Sequence, residues 1–331
     1  MRFLTNPSND PWYNMSFDEY CLEQYPSDDS FFYLWRNRPS VIIGLNQNAY
    51  SEVNLGYLEA NDIRLARRAT GGGAVYHDLQ NLNYTIIGRD VSPDPVVAAL
   101  QKLGVPAELT GRNDIFVYGR KVSGYARRLG RDRQIIHGTL MYDVDLDTLA
   151  RVLDVPGSKM AAKGVTSVRS RVANLKDYLP QYPTLDALQA ALQEILAAGD
   201  GELPFGMDRR AAVQRLSDEK FSTWDWIYGQ SRQADIVRCA RLACGTVEVR
   251  LCLDRGILTS VNFCGDFLGD LPAAGLAGRL VGVRFERSAL REALVPNPSG
   301  LDPESPSAAA PVSAYFSGVS PEALLDLFFR C

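Results

Sequence analysis

The sequence predicts an α+β fold in two domains, a mixed sheet with helices followed by a smaller α+β accessory domain. Three observations predict it. Over residues 1–236, helical spacing and short strand runs alternate irregularly, and four strand segments between residues 107 and 142 are separated by glycine-containing turns, the pattern of an antiparallel meander. From about residue 237 the pattern changes to a long hairpin. Finally, 331 residues with 46% apolar and 22% charged composition suffice for two cores.

Taken in order, Ser16 and Glu19 have the spacing of a capping box, and Phe17, Cys21 and Tyr25 recur at helical intervals, so a first helix is expected over residues 14–25. Residues 31–35 and 41–45 read as strands around the turn Arg36-Asn37-Arg38-Pro39-Ser40, and 83–87 as another. Asp94-Pro95 opens a short helix that Gly104 can close. Strands follow at 107–110, 115–118, 121–125 and 134–142, then helices at 146–153, 184–198 and 208–220. The first domain, 1–236, ends beyond Trp224 and Trp226, which are expected to pack between the domains. In the second, 237–331, strands 245–253 and 257–263 form a hairpin, and helices near 276–280, 287–294 and 321–329 cover it. Residues 296–311, rich in Pro, Ser and Ala, read as a flexible loop.

The net charge of −4 argues against a broad nucleic-acid surface. No apolar stretch approaches the roughly 18 residues of a membrane span, and the start lacks a signal-peptide core, so a cytoplasmic protein is expected. The cysteines, Cys21, Cys239, Cys244, Cys252, Cys264 and Cys331, contain no Cys-x-x-Cys pair and indicate neither a zinc site nor a disulfide framework. None lies between Leu22 and Arg238, where the other motifs fall.

The run Arg67-Arg68-Ala69-Thr70-Gly71-Gly72-Gly73-Ala74-Val75-Tyr76-His77-Asp78 is a poor core element and reads as an anion loop. Consecutive glycines reach φ > 0 without steric cost and let backbone N–H groups gather round a phosphate or carboxylate, while a neighbouring arginine supplies charge. The bland alternative is a turn with solvated arginines. Neither a P-loop nor Gly-x-Gly-x-x-Gly spacing is present. Gly111-Arg112-Asn113-Asp114, Arg120-Lys121-Val122-Ser123-Gly124 and the run from Lys163 to Leu175 are likewise richer in charge and glycine than connections require. A lysine beside a carboxylate and an anion loop suits attack of a carboxylate on a nucleotide α-phosphate. His77 and His137 are more readily pocket residues than a metal pair.

These segments, together with His137-Gly138-Thr139-Leu140, resemble in order and spacing the signature segments of lipoate-protein ligase A, in its two-domain bacterial form. The resemblance implies a biotin/lipoate ligase-type catalytic domain and two half-reactions. Lipoate and Mg2+-ATP give lipoyl-AMP and pyrophosphate; a lysine of a lipoyl-carrier domain, in E2 subunits of 2-oxoacid dehydrogenases or the glycine cleavage H protein, then takes the acyl group. By the same resemblance Lys121 is the central residue in both steps. Arg68, Gly73, Ala74, Val75, Tyr76, Asn113, Asp114 and Lys163 would bind ATP and the adenylate, with Asp114 near the metal. Gly72, His77, Ser123, Gly124, Arg128, His137 and Gly138 would form the lipoate pocket. An octanoyl or lipoyl transferase shares the fold but needs a cysteine absent from this interval. A biotin ligase would carry a Gly-Arg-Gly-Arg type loop. A non-enzymatic lipoyl-adenylate binder is the remaining alternative. Ala69, Tyr76 and Tyr125 depart from the commoner pattern, and the bulky Tyr125 leaves lipoate against octanoate open.

Overall fold

The computed structural model describes residues 1–27, 29–111, 113–153, 171–229, 235–295 and 310–329. The Lys163 run up to residue 170, Arg112, Cys331 and most of the 296–311 loop lie outside the described residues. The strands are β1 (Arg2–Phe3), β2 (Phe31–Trp35), β3 (Ser40–Ile43), β4 (Arg64–Arg67), β5 (Val75–His77), β6 (Asn81–Gly88), β7 (Ala107–Thr110), β8 (Asp114–Val117), β9 (Arg120–Leu129), β10 (Gln134–Met141), β11 (Ile236–Leu242), β12 (Gly245–Asp254) and β13 (Ile257–Cys264).

A seven-stranded sheet in the order β1-β2-β6-β10-β9-β8-β7 is the largest element, and a three-stranded sheet, β4-β3-β5, packs across it. The run β7 to β10 is the antiparallel meander the sequence predicts. Parallel pairing of β1 with β2 and of β3 with β4 makes both sheets mixed. A parallel neighbour needs a crossover, and the short helices Ala49–Glu52 and Leu55–Ala60 carry the chain from β3 back to the start of β4. Every residue of β2 and β6 is buried, as expected of strands covered on both faces.

The first helix runs Pro11–Glu23, starting earlier than the capping box implies. Asp10 caps it, its side chain accepting from the Trp12 and Tyr13 N–H groups, and Pro11 fits the first turn because it has no N–H to lose. Ser16 therefore lies inside the helix, bonding back to the Trp12 carbonyl. The helix Met207–Leu216 continues into a π-helical turn, Ser217–Phe221. Trp226 does not pack between domains as expected: it lies against Phe221 and donates to the Arg67 carbonyl, while Trp224 is exposed and stacks on Tyr228.

Strands β11–β13 form a separate antiparallel sheet covered by the helices Ala273–Leu280, Arg287–Leu294, Val312–Tyr315 and Pro321–Phe328. Its core, built around Val249, Leu251, Phe263, Phe316 and Leu324, shares no residue with the clusters of the first part. The two parts meet at the glycine run. Gly72 N–H donates to the Phe267 carbonyl at 2.9 Å, Gly265 N–H to Asn46 at 2.8 Å, and Leu129 N–H to Asp270 at 2.7 Å. Arg127 adds a bidentate pair to Asp270 at 2.6 and 2.7 Å. A Cβ on Gly71 would stand 2.6 Å from the Phe267 carbonyl oxygen, so this approach requires glycine. No described helix is long and apolar enough to cross a membrane.

Candidate active site

Between the two sheets lies a cavity of about 150 Å³. Its floor follows from strand register. Trp35 on β2 pairs with Asn83 on β6, Asn83 with Thr139 on β10, and Gly124 on β9 donates its N–H to the Thr139 hydroxyl at 3.2 Å. These residues make one row across four strands, and period-two alternation puts their side chains on one face. Thr85, His137 and Ala126 form the adjacent row on that face. The roof comes from Ile42, Val75 and His77 of the smaller sheet, Met15 of the first helix, and the glycine run.

The Lys121 ammonium lies at one end, 2.7 Å from the Asp114 carboxylate. It rests over Gly124, where a Cβ would stand 3.0 Å from Nζ. The lysine backbone is pinned by pairing on its other edge: its N–H donates to Arg171 O at 2.8 Å, and its carbonyl accepts from Ala173 at 2.9 Å. Asn113 is fixed beside it by donation to the Tyr125 carbonyl at 2.6 Å.

The twin arginines, at the end of β4 and just beyond it, divide their tasks. Arg67 is fully buried and donates to the carbonyls of Gly44, Leu45, Gln47, Trp226 and Ile227 at 2.6–3.2 Å. Arg68 borders the cavity, with its guanidinium on the carbonyls of Ile42, Gly71 and Gly73 at 2.7–3.1 Å. Burial lowers both guanidinium pKa values to about 10, which leaves them charged near neutrality. Arg68 thus sets the path of the glycine run and places positive charge beside the cavity.

A buried polar chain supports the floor. Asp18 accepts from Tyr33 and Thr85 on one oxygen, at 2.5 and 3.0 Å, and from His137 Nδ1 on the other at 2.6 Å. Trp35 donates to the Thr85 hydroxyl at 2.9 Å, and Thr70 donates to His137 Nε2 at 2.7 Å while accepting from Arg68 Nε at 3.1 Å. Each group has a partner, as buried polar networks require. The chain fixes Trp35, His137 and Arg68 relative to one another.

Of the residues singled out in the sequence, Arg68, Gly72, Gly73, Ala74, Val75, His77, Asn113, Lys121, Gly124, His137 and Gly138 line this one cavity. Asp114 reaches it through Lys121. Tyr76 turns away into the core around Val41 and Ile43, and Ser123 is buried outside the lining. Arg128 is held by Glu19 and Glu23 at 3.1 and 3.0 Å, also outside the lining. Tyr125 packs against the core on the opposite face and also lines the cavity. Lys163 lies outside the described residues. Sequence reasoning missed Met15, Trp35, Ile42, Asn83, Ala126 and Thr139 in the lining and Asp18 behind it. A carboxylate on the apolar stripe Met15, Asp18, Leu22 is the signal that could have marked Asp18.

Burial, aided by the Arg68 charge, pushes the His77 pKa down to about 3. The unfolded chain therefore binds a proton below about pH 6.5 that the folded chain refuses until about pH 3, and stability falls as pH drops through that window. Urea denaturation of wild type and His77→Gln between pH 7 and 4 checks this: the variant should show the shallower pH dependence, and parallel slopes would contradict it.

Residues 10–197 match the lipoyl protein ligase A/B catalytic domain, and residues 231–328 match the bacterial lipoate protein ligase C-terminus. The chain is 35% identical to the lipoate-protein ligase LplJ of Bacillus subtilis, over 99% of this chain and 100% of that one. Among solved structures, the bipartite lipoate protein ligase of Thermoplasma acidophilum, studied with its E2 lipoyl domain, superposes with a TM-score of 0.62 at 31% identity, covering 71% of this chain and 98% of that one. A lipoate-protein ligase A bound with ATP gives 0.60 at 29% identity, covering 70% and 99%. With both parts matched along nearly the whole length, the chain belongs to the lipoate-protein ligase family.

Proposed function

We propose that the cavity holds the lipoyl chain along the Trp35–Gly124 row with its carboxylate at Lys121, and that the protein lipoylates acceptor lysines at the expense of ATP. The observation that carries this is the Lys121 ammonium, paired with Asp114, at the end of a row that begins at a tryptophan. A carboxylate oxygen attacks the α-phosphorus, the bond to the pyrophosphate oxygen breaks, and the Lys121 charge offsets the negative charge gathering on the attacking and departing groups. The acceptor amine then attacks the acyl carbon of lipoyl-AMP, loses a proton, and AMP leaves. Gly73, Ala74 and Val75, shaped by Arg68, line the path of the adenylate, and Asn113 borders it.

A magnesium ion carried by the ATP phosphates needs few protein ligands, and Asp114 is the carboxylate beside the lysine that suits one. Such an ion would neutralise phosphate charge. Lys163, Tyr76, Ser123 and Arg128 remain assigned to the site by family resemblance alone. We place the boundary of the catalytic part near residue 236, supported by the separate cores on either side. The acceptors are lipoyl domains of E2 subunits and the glycine cleavage H protein, in the cytoplasm. The ligase with an E2 lipoyl domain among the similar structures supports the first of these.

The test incubates the protein with Mg2+-ATP, lipoate and an apo lipoyl domain and follows the acceptor by mass. A gain of one lipoyl group that needs both ATP and free lipoate is expected. Modification only from an octanoyl-carrier protein, without ATP, would make the protein a transferase instead.

A further inference from the structure

His77 is the cavity residue whose bonding is unfinished. The ring is 3% exposed, Nδ1 lies 3.0 Å from Asn37 Nδ2, and Nε2 has no partner among the described residues. Three amides in series fix where its proton sits. Asn14 Nδ2 faces the carbonyls of Ser8 and Arg36 and the Asn37 side-chain oxygen at 2.7–3.1 Å, so Asn14 donates there and takes Asn6 Nδ2 on its own oxygen at 2.9 Å. Asn37 accepts with its oxygen and must therefore donate to His77 Nδ1. The neutral ring then carries its proton on Nε2. His137 differs, because both its nitrogens are engaged.

A buried donor without an acceptor is costly and calls for a partner that the described residues do not supply. The ring of His77 stands edge-on to Trp35, with centroids 6.1 Å apart, at the opposite end of the cavity from Lys121. From Trp35 to Gly124 is three strand spacings, roughly 14 Å, so a chain with its carboxylate at Lys121 brings its far end to His77. In lipoate that end is a ring with two sulfur atoms, which are weak acceptors; in octanoate it is a methyl group with none.

We infer that His77 is a specificity-determining residue whose Nε2–H donates to a ring sulfur of the lipoyl group and so favours lipoate over octanoate. The inference rests on the acyl-chain placement proposed above. Calorimetric titration of the full chain with each acid tests it, using wild type, His77→Leu and His77→Gln. His77→Leu should lose about tenfold in lipoate affinity and little for octanoate, and His77→Gln, which keeps an N–H at a similar reach, should recover most of the difference. The chain has two histidines, so ring 15N signals are assignable, and lipoate but not octanoate should shift the His77 Nε2 resonance. Equal losses for both acids, no loss for either, or a resonance indifferent to lipoate would overturn the assignment. Failure of both acids to bind wild type would overturn the acyl-cavity reading itself, and this inference with it.

Discussion

Replacing Lys121 by alanine is expected to lower lipoyl-AMP formation at least about 10³-fold, some 4 kcal/mol of transition-state stabilisation, while the protein stays folded. The ammonium is partly exposed and bonded to a carboxylate at the cavity end, so its removal leaves no buried hole. The backbone pairing of residue 121 with Arg171 and Ala173 does not depend on the side chain. Lys121→Arg should rescue little, because a guanidinium is broader than an ammonium and a Cβ-less residue, Gly124, provides the room beneath. Pyrophosphate release with lipoate and ATP, beside thermal denaturation, separates the two effects. Activity within a few-fold of wild type would remove Lys121 from the chemistry.

The largest effect on stability is expected next to the site. Arg67→Ala removes a fully buried side chain and takes a donor from each of five carbonyls, which should cost about 4 kcal/mol, or roughly 6 °C in Tm. Those carbonyls belong to residues 44–47 and 226–227, so the guanidinium ties two distant segments to β4. Arg67→Lys should recover only part, since three donors on a point charge cannot reach five acceptors. Arg68→Ala should show the reverse balance, a smaller Tm loss and a larger loss of turnover. A Tm change under about 2 °C for Arg67→Ala would contradict the clamp.

The contrast between these arginines shows where sequence reading succeeds and stops. The strands of the meander and the glycine run were legible because turn residues and alternation are local. The short strands β4 and β5 were not, because their partner β3 lies more than twenty residues away from each and neither is long enough to show a period. Lys121, Asn113 and the glycines lie in segments that charge and glycine content set apart, and the family resemblance named them as candidates. Trp35 could not: Phe31–Trp35 is apolar throughout, and only the register with Asn83 and Thr139 singles out the residue that faces the cavity. The supporting residues Asp18, Asn37 and Thr85 act through bonds across 15 to 119 positions of sequence, a distance at which no local pattern can mark them.

The contact of Gly72 with the Phe267 carbonyl changes how mutations in the glycine run must be interpreted. An N–H that serves as donor to the carboxy-terminal part is not at the same moment offered to a phosphate, and a side chain at Gly71 would collide with that part before it met any ligand. Alanine substitutions at these glycines would therefore mix two phenotypes, a disturbed junction and a disturbed anion site, and loss of activity alone would not say which. Removal of the carboxy-terminal part gives the needed reference, since only the junction phenotype vanishes when the surface that Gly71 and Gly72 touch is gone.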